Sequence, residues 1–286
     1  MEKVCRRAKP FQERHPMNST FLLGGDLPVH RLGYGAMRLT GQPGNFGPYA
    51  DWEGGRALLR RAVELGVNFI DTAHPYGPDW NERLIGEALA PYPSGLVIAT
   101  KGGVEKFAPD HIFPDASPEN LRRRCEASCA LLKVERIDLY QLHRPDPKVP
   151  FAESIGALAA LQREGKIRHI GLSNVTLAHV EEACRLVPIA SVQNRYNHDE
   201  RSDDAVLDYC TEHNIAYLPW GPLAAKPMEA GAPLAAPDSA LAEQARESGL
   251  TPTQVALRWL LERAPNIIVI PGTTSIRHLE ENYRCF

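Results

Sequence analysis

The chain alternates between short apolar runs and longer segments in which apolar residues recur every three or four positions. Runs of the first kind are typical of buried strands, and segments of the second kind are typical of helices that bury one face. Eight runs predict strands, at residues 32–36, 67–71, 96–100, 137–142, 167–172, 189–193, 215–219 and 267–270. Between them, helical spacing relates Leu58, Leu59, Ala62, Val63 and Leu65, and again Leu121, Cys125, Ser128, Cys129 and Leu132.

Local signals mark where some of these elements begin and end. Ser117 followed by Pro118 predicts a helix start, because serine caps the first free amide groups and proline fits the first helical turn. Gly66 and Gly165 stand where helices are expected to end. Ahead of the first run, residues 20–23 and 27–30 flank Gly24-Gly25-Asp26, which predicts an N-terminal β-hairpin.

Eight strand-then-helix units within about 250 residues match the size of a (β/α)8 TIM barrel. A doubly wound sheet is the alternative within the α/β class, and it usually carries GxGxxG after its first strand. Here Gly33-Tyr34-Gly35-Ala36-Met37-Arg38 lacks the third glycine, which favours the barrel. We therefore expect residues 19–286 to form one barrel domain with an N-terminal β-hairpin, residues 1–18 to be a disordered tail, and residues 222–237 to form a loop over the barrel mouth.

Composition and charge exclude several classes of protein. The 286 residues include 32 Lys and Arg against 35 Asp and Glu, a net charge of −3, which argues against a nucleic-acid partner. No apolar run approaches the roughly 18 residues of a membrane helix. The six cysteines form no CxxC pair or zinc-finger spacing, so we expect no metal site and reduced thiols in a cytoplasmic protein.

Four residues suited to proton transfer follow three consecutive predicted strands. Asp71 and Tyr76 follow the second strand, Lys101 the third and His143 the fourth. The carboxyl ends of barrel strands meet at one face, where barrel enzymes have their active sites. A lysine ammonium favours the phenolate of a nearby tyrosine, an aspartate keeps that lysine charged, and a histidine can orient a carbonyl oxygen. Each residue alone could have an ordinary structural role, but together they predict that Tyr76 is a general acid.

Reduction of a carbonyl also needs a hydride, which no side chain donates and which a reduced nicotinamide usually supplies. Polar or aromatic residues follow the later strands as well, and these are candidates for binding such a cofactor: Ser173, Asn174, Gln193, Asn194, Trp220 and residues 271–274.

At these positions the sequence resembles the aldo-keto reductase family. The resemblance rests on LGYGAM at 32–37, NFIDTA at 68–73, Tyr76-Gly77, Thr100-Lys101, DLYQLH at 138–143, GKIRHIGLSN at 165–174, QNRYN at 193–197, WGPL at 220–223 and IPGT at 270–273. These motifs keep the family's order and span nearly the whole chain from Thr20 onward. Within the family, the chain is most similar to bacterial NADPH-dependent reductases, including those of the pyridoxal reductase type.

The resemblance implies an NAD(P)H-dependent oxidoreductase that reduces an aldehyde or ketone to an alcohol with NADPH. The family's catalytic tetrad falls on Asp71, Tyr76, Lys101 and His143. The implied cofactor residues are Ser173, Asn174 and Gln193 for the nicotinamide carboxamide, Trp220 for stacking on the ring, Gly221, Pro222 and Leu223 for the pyrophosphate, and Gly272, Thr273, Thr274, Arg277, His278, Glu281 and Asn282 for the adenosine half.

Two positions depart from the family pattern. Many members have lysine where this chain has Gly272, and many have arginine at His278, and both residues normally help to hold the 2′-phosphate of NADPH. NADH therefore remains a possible cofactor. The C-terminal helix, expected to begin near Ser275, is short, and we expect its last turn, residues 283–286, to fray.

Three questions stay open at this level. A catalytically weak barrel that binds cofactor as a regulatory subunit is one alternative, and a metal-dependent hydrolase using His143, His169 and His198 is another, although no HxH pair is present. The carbonyl substrate and the oligomeric state are not predicted. Loops at 40–52, 105–116 and 226–239 are expected to set specificity, with an apolar wall drawn from Phe46, Tyr49, Trp52, Phe107 and Phe113.

Overall fold

The computed structural model describes residues 19–223 and 239–284. The described part of the chain begins with a hairpin of β1 (Thr20–Leu23) and β2 (Leu27–His30), as the sequence predicts. Its turn lies against the ring of His169, so closely that a Cβ on Gly24 would meet the ring at 2.3 Å, and Gly24 has a φ of +62°. Glycine is therefore required there both by space and by conformation.

The remaining strands form the barrel and a second hairpin. They are β3 (Tyr34–Gly35), β4 (Phe69–Asp71), β5 (Val97–Gly102), β6 (Val104–Ala108), β7 (His111–Pro114), β8 (Ile137–Leu142), β9 (Ile167–Ser173), β10 (Ser191–Gln193) and β11 (Ala216–Tyr217). Seven of them pair in parallel in the order β11-β10-β9-β8-β5-β4-β3, while β6 and β7 form the separate antiparallel hairpin.

The eighth predicted strand closes this sheet without being a regular strand. Residues 267–270 form isolated parallel bridges, Ile267 with Tyr217 on one side and Val269 with Leu32 on the other. The two ends of the seven-stranded sheet are thus joined through this segment, which gives the (β/α)8 barrel that the sequence predicts. Because barrel strands are parallel, all their carboxyl ends point to the same face.

Helices cover the outside of the barrel. They are α1 (Trp52–Glu64), α2 (Trp80–Leu89), α3 (Pro118–Leu132), α4 (Phe151–Arg163), α5 (Leu177–Leu186), α6 (Asp204–Glu212), α7 (Ala240–Ser248), α8 (Pro252–Arg263) and α9 (Ile276–Tyr283), with a short 3-10 turn at Ala36–Arg38. The predicted start of α3 is confirmed, since the Ser117 side chain accepts a hydrogen bond from the Asn120 amide and Pro118 is the first helical residue.

The core has an inner and an outer part. Inside the barrel, apolar residues of the hairpin such as Leu23 and Val29 pack with strand residues such as Val97, Leu139 and Ile268. Outside, the helices bury their apolar faces on the sheet, including Leu58, Leu59 and Ala62 of α1 and Leu121, Cys125 and Leu132 of α3. The hairpin contacts the amino ends of the strands, where Asp26 pairs with Arg168 and His169, and so leaves the carboxyl ends open.

Some predictions concern residues that the structure does not describe. The tail at 1–18 and most of the loop at 222–237 lie outside the described residues.

The C-terminal helix begins where predicted, with Ser275 as its cap. The Tyr283 hydroxyl donates to the Leu32 carbonyl at 2.6 Å, so this residue of the last turn is tied to the barrel rather than frayed, and residues 285–286 are not described. Among the described helices, none is long and apolar enough to cross a bilayer.

Candidate active site

The predicted tetrad comes together at the carboxyl ends of β4, β5 and β8. Lys101 is fully buried, and its ammonium donates to the Asp71 carboxylate at 2.7 Å and to the Thr72 carbonyl at 2.8 Å. The same nitrogen lies 3.5 Å from the Tyr76 hydroxyl. An unpaired charge buried in this way is costly, and here the pair with Asp71 also fixes the lysine beside the tyrosine.

The other oxygen of Asp71 is held by two glutamines. Gln193 donates to Oδ1 at 2.8 Å, and Gln141 donates to it at 3.3 Å. Sequence reasoning missed Gln141, although a signal was present: in β8 it stands two residues before His143 and therefore on the same face of the strand. Gln193, predicted to bind a nicotinamide, has its amide nitrogen on Asp71 and is 2% exposed.

His143 completes the group from the end of β8. Its backbone amide donates to the Gly102 carbonyl at 2.8 Å, and its own carbonyl accepts from the Asn174 side chain at 3.0 Å. The imidazole lies edge-on to the Tyr76 ring, with the ring centroids 6.0 Å apart. The backbone on both sides of the histidine is therefore fixed, and its ring and the tyrosine hydroxyl face the same space.

Protonation in the site follows from burial and from neighbouring charges. Burial opposes a charge on Lys101, but Asp71 and Tyr76 together outweigh it, and the pKa of the lysine is raised. Burial, together with the positive charge of Lys101, holds the pKa of His143 well below its ordinary value, so the ring is neutral near pH 7. The sequence predicts a lowered pKa for Tyr76 because Lys101 favours the phenolate, but burial raises this pKa and Lys101 offsets only part of the effect. Tyr76 is therefore protonated.

A cavity of about 390 Å³ opens above these residues at the barrel mouth. It is lined by Asp71, Tyr76 and His143 from the tetrad. Eight of the predicted cofactor residues line it as well: Ser173, Asn174, Gln193, Trp220, Gly221, Pro222, Leu223 and Gly272. The cavity thus connects the tyrosine with the ends of the later strands, in the arrangement that the sequence predicts.

Trp220 stands at the wall of this cavity, three residues beyond the end of β11. Its indole nitrogen donates to the Asn174 side-chain oxygen at 3.2 Å, and the Arg195 guanidinium lies 5.6 Å from the ring centroid. Asn174 in turn donates to the Ser173 hydroxyl at 3.0 Å. The indole is therefore held at a fixed angle, as a flat ring that lines the cavity must be if it is to stack on a ligand.

Apart from Gly272, the residues predicted for the adenosine half lie beyond the cavity lining. They are Thr273, Thr274, Arg277, His278, Glu281 and Asn282. The Thr273 carbonyl accepts from the buried Tyr34 hydroxyl at 2.7 Å, and Asn282 is buried in α9. Arg277 is exposed, lies 3.6 Å from Glu281 and approaches the His278 ring at 3.1 Å. An anion bound there would have to share Arg277 with the Glu281 carboxylate.

A buried ionic cluster ties the Tyr76 loop to the hairpin of β6 and β7. His74 is 1% exposed, with Nδ1 2.9 Å from Asp79 and Nε2 3.7 Å from Glu105. Burial would lower the pKa of His74, but these two carboxylates outweigh it and raise the pKa. Glu105 also accepts hydrogen bonds from Arg124. The potential ligand atoms of His74, Asp79 and Glu82 lie within 4.8 Å of one another, the one such group in the described residues.

The segment at 105–116 was expected to be a loop, and this is wrong. Most of it belongs to the β6–β7 hairpin, in which Glu105 pairs with Phe113 and Lys106 with Ile112. The expected apolar wall is also wrong, since none of Phe46, Tyr49, Trp52, Phe107 and Phe113 lines the cavity. Pro109 and Ile112 of the hairpin do so instead, together with Met37, Pro75 and Ile270.

Three cationic residues on the cavity wall were also missed: Arg38, Lys106 and Arg144. Lysine and arginine are common on any surface, so composition gave no signal for them. The position of Arg144 directly after His143, at the end of a strand, was one signal that could have identified it.

The histidines considered for a metal-dependent hydrolase do not meet. His169 pairs with Asp26 at 2.6 Å near the N-terminal hairpin, and His198 lies 3.1 Å from Asp199. His143 is at the barrel mouth, beside Tyr76. The three rings therefore do not form one metal site.

Comparison with known proteins agrees with this geometry. The model of the aldo/keto reductase family matches residues 31–286. The chain belongs to the aldo/keto reductase family. It is accordingly a nicotinamide-dependent oxidoreductase of carbonyl compounds, and the resemblance and the barrel fold predicted from the sequence are confirmed.

Individual members of the aldo/keto reductase family cover most of the chain. An uncharacterised oxidoreductase of Schizosaccharomyces pombe is 45% identical over 91% of this chain and 82% of its own length. Pyridoxine 4-dehydrogenase of Escherichia coli is 42% identical over 93% of this chain and 92% of its own. Among solved structures, an aldo/keto reductase from Klebsiella pneumoniae in complex with NADP and acetate is 27% identical, with a TM-score of 0.76 and coverage of 93% and 89%.

Proposed function

We propose that this protein reduces an aldehyde or ketone to the corresponding alcohol with NADPH, and that Tyr76 is the general acid. One observation carries the proposal. The Tyr76 hydroxyl lies 3.5 Å from a fully buried lysine that is paired with Asp71, at the floor of a cavity that His143 also lines. No simpler structural need explains why a charged lysine is buried beneath a tyrosine hydroxyl at the barrel mouth.

The cavity fits a nicotinamide. Trp220 offers a flat ring that is held by Asn174, and the Ser173, Asn174 and Gln193 side chains lie close by. Side-chain amides and a hydroxyl match the donors and acceptors of a carboxamide, and an indole face suits an aromatic ring. We assign the nicotinamide to this part of the cavity, the pyrophosphate to residues 221–223 and the adenosine half to residues 272–282.

When bound, the reduced nicotinamide supplies the hydride. The protein's own residues handle the proton and the charge. The neutral His143 ring donates a hydrogen bond to the carbonyl oxygen and orients it, and the protonated Tyr76 hydroxyl gives its proton to the developing alkoxide. Lys101 then stabilises the phenolate that remains, and Asp71 keeps the lysine charged and in place. General acid catalysis of this kind contributes a factor of about 10²–10⁴.

The nucleotide preference is NADPH, which the NADP-bound Klebsiella structure supports. Arg277 and His278 are the basic residues available for its 2′-phosphate. We expect the enzyme to act in the cytoplasm on small-molecule carbonyls. Pyridoxal belongs in any substrate panel, because the 42% identical relative from Escherichia coli is a pyridoxine 4-dehydrogenase.

The test is a panel of carbonyls that includes 4-nitrobenzaldehyde and pyridoxal, followed by the loss of NADPH absorbance. NADPH deuterated at the transferred position should place deuterium on the carbinol carbon of the product. If the protein binds NADPH but neither oxidises it nor labels any product, then the regulatory alternative replaces the enzymatic one.

A further inference from the structure

Lys106 is a buried cation without an acidic partner. It is 6% exposed in β6, and its ammonium donates to the backbone carbonyls of Gly44 and, at 3.2 Å, Asn45. No described carboxylate lies within 4 Å of it. Buried lysines are nearly always paired with an acid, and two carbonyl contacts leave one of the three ammonium donors over. Burial lowers the pKa of Lys106, so an anion nearby would stabilise its charged form.

Arg144 is a second cation on the same cavity. It directly follows His143, is exposed, and forms no hydrogen bond or ion pair with any residue in the described part of the chain. It lines the same cavity as Tyr76 and His143, and its positive charge lowers the pKa of both groups. A planar guanidinium at a cavity wall is suited to a carboxylate or phosphate.

The cavity lining as a whole is positively charged. Arg38, Lys106 and Arg144 line it, whereas the one carboxylate among its lining residues, Asp71, is already paired with Lys101. The charge therefore has no counterpart in the described protein and matches an anionic ligand.

The cofactor phosphates account for only part of this charge. Arg38 lies beside Gly272, its Cγ 3.6 Å from where a Cβ of that glycine would stand, and so on the side assigned to the nucleotide. Lys106 and Arg144 follow β5 and β8. Those strands lie across the barrel from residues 267–270, next to Tyr76 and His143. Their charges therefore lie on the side of the cavity that we assign to the substrate.

We propose that the preferred substrates are carbonyl compounds that also carry an anionic oxygen group, a carboxylate or a phosphate ester, which Lys106 and Arg144 bind. The inference rests on the proposed function and names the substrate class of that site. The anionic group takes no part in the reaction: hydride adds to the carbonyl carbon, the Tyr76 proton adds to the oxygen, and the carboxylate or phosphate leaves unchanged in the alcohol.

Matched substrate pairs test this class. 4-Carboxybenzaldehyde is compared with its neutral analogue methyl 4-formylbenzoate, and glyceraldehyde 3-phosphate with glyceraldehyde. If Lys106 and Arg144 form hydrogen bonds with the charged group, the anionic member of each pair should have a KM at least about tenfold lower than its neutral analogue. Because Arg144 is exposed, added sodium chloride should raise the KM for the anion and leave that for the neutral analogue unchanged. The substrate pair with the larger ratio of neutral to anionic KM identifies whether the site binds a carboxylate or a phosphate.

Variants then locate the binding groups. Arg144→Gln removes no contact with the described residues, so its fold should be intact, and we expect it to raise the KM for 4-carboxybenzaldehyde about tenfold while changing that for the ester less than threefold. Lys106→Gln should also raise the KM for 4-carboxybenzaldehyde more than that for the ester. Arg144→Lys, which keeps the positive charge, should retain part of the preference for the acid. Lys148→Gln is the matched control, since this exposed lysine lies on the same loop outside the cavity lining.

Equal KM values for acid and ester in the wild-type enzyme would overturn the inference. So would variants that weaken both substrates equally, or that weaken NADPH binding in a fluorescence titration, because the cations would then serve the cofactor. Failure of the proposed function looks different: neither member of either pair would be reduced at all.

Discussion

Replacing Lys101 by Met tests the buried ion pair on which the site is built. The side chain is fully buried, and its ammonium is the hydrogen-bond donor on Asp71 Oδ2, whereas both glutamines donate to Oδ1. Methionine fills a similar volume without a charge, so the change leaves a buried carboxylate oxygen without its partner. Breaking a buried pair from one side typically costs about 3–5 kcal/mol. With the glutamines still present, we expect about 3 kcal/mol.

The assay is urea unfolding followed by circular dichroism, with Lys148→Met as an exposed control that should change stability by less than about 0.5 kcal/mol. Adding Asp71→Asn to Lys101→Met removes the unpaired charge. The double variant should therefore be more stable, by at least about 1 kcal/mol, than the sum of the two single changes predicts. A Lys101→Met protein as stable as the wild type, or strictly additive effects, would refute the reasoning. The single variant should also lose about 100-fold or more in kcat, because Tyr76 loses the cation that stabilises its phenolate.

Three further changes probe the cofactor site and the hairpin. Trp220→Leu should abolish most of the quenching of protein fluorescence by NADPH and weaken its binding, and unchanged quenching would remove the indole from the nicotinamide site. Arg277→Ala should weaken NADPH about tenfold and NADH much less, as measured by titration; equal losses would show that Arg277 does not read the 2′-phosphate. Burial alone would raise the pKa of Glu105, but His74 and Arg124 hold it well below its ordinary value. The ionised Glu105 therefore stabilises the folded protein above about pH 4.5, and this stabilisation is lost as pH falls through the folded pKa. In unfolding experiments, Glu105→Gln should lower the free energy of unfolding by about 3 kcal/mol at pH 7 and by progressively less below pH 4.5.

The barrel was predictable because its signals are local. Each strand run is short, apolar and followed by a helix with one apolar face, and these patterns need no knowledge of distant contacts. The runs at 137–142 and 167–172 correspond closely to β8 and β9. The predicted strand at 267–270 does not become a regular strand, because it pairs only where the barrel closes. There it forms single bridges to Leu32 and Tyr217.

The convergence of the candidate reactive residues was predictable for a related reason. Asp71, Lys101 and His143 stand at the ends of strands, and a parallel barrel brings all those ends to one face. The direction of the Tyr76 pKa was not predictable, because it depends on how deeply the ring is buried, and burial here exceeds the effect of Lys101.

The substrate side of the cavity was not predictable from the sequence. The aromatic residues of the loops predict an apolar wall, but Phe107 is 61% exposed and packs with His111 and Phe113 on the hairpin surface. In a hairpin, alternate residues face opposite sides, so shifting the register by one residue exchanges a phenylalanine for a lysine. Lys106, the neighbour of Phe107, lines the cavity instead.

The most direct test of the account is Tyr76→Phe, measured as single-turnover reduction together with NADPH affinity. Phenylalanine keeps the ring that lies edge-on to His143 and removes only the hydroxyl beside Lys101. If Tyr76 is the general acid, the rate should fall at least about 100-fold, while the dissociation constant for NADPH stays within about twofold of the wild type. A variant that reduces the same carbonyl at the wild-type rate would contradict the central claim.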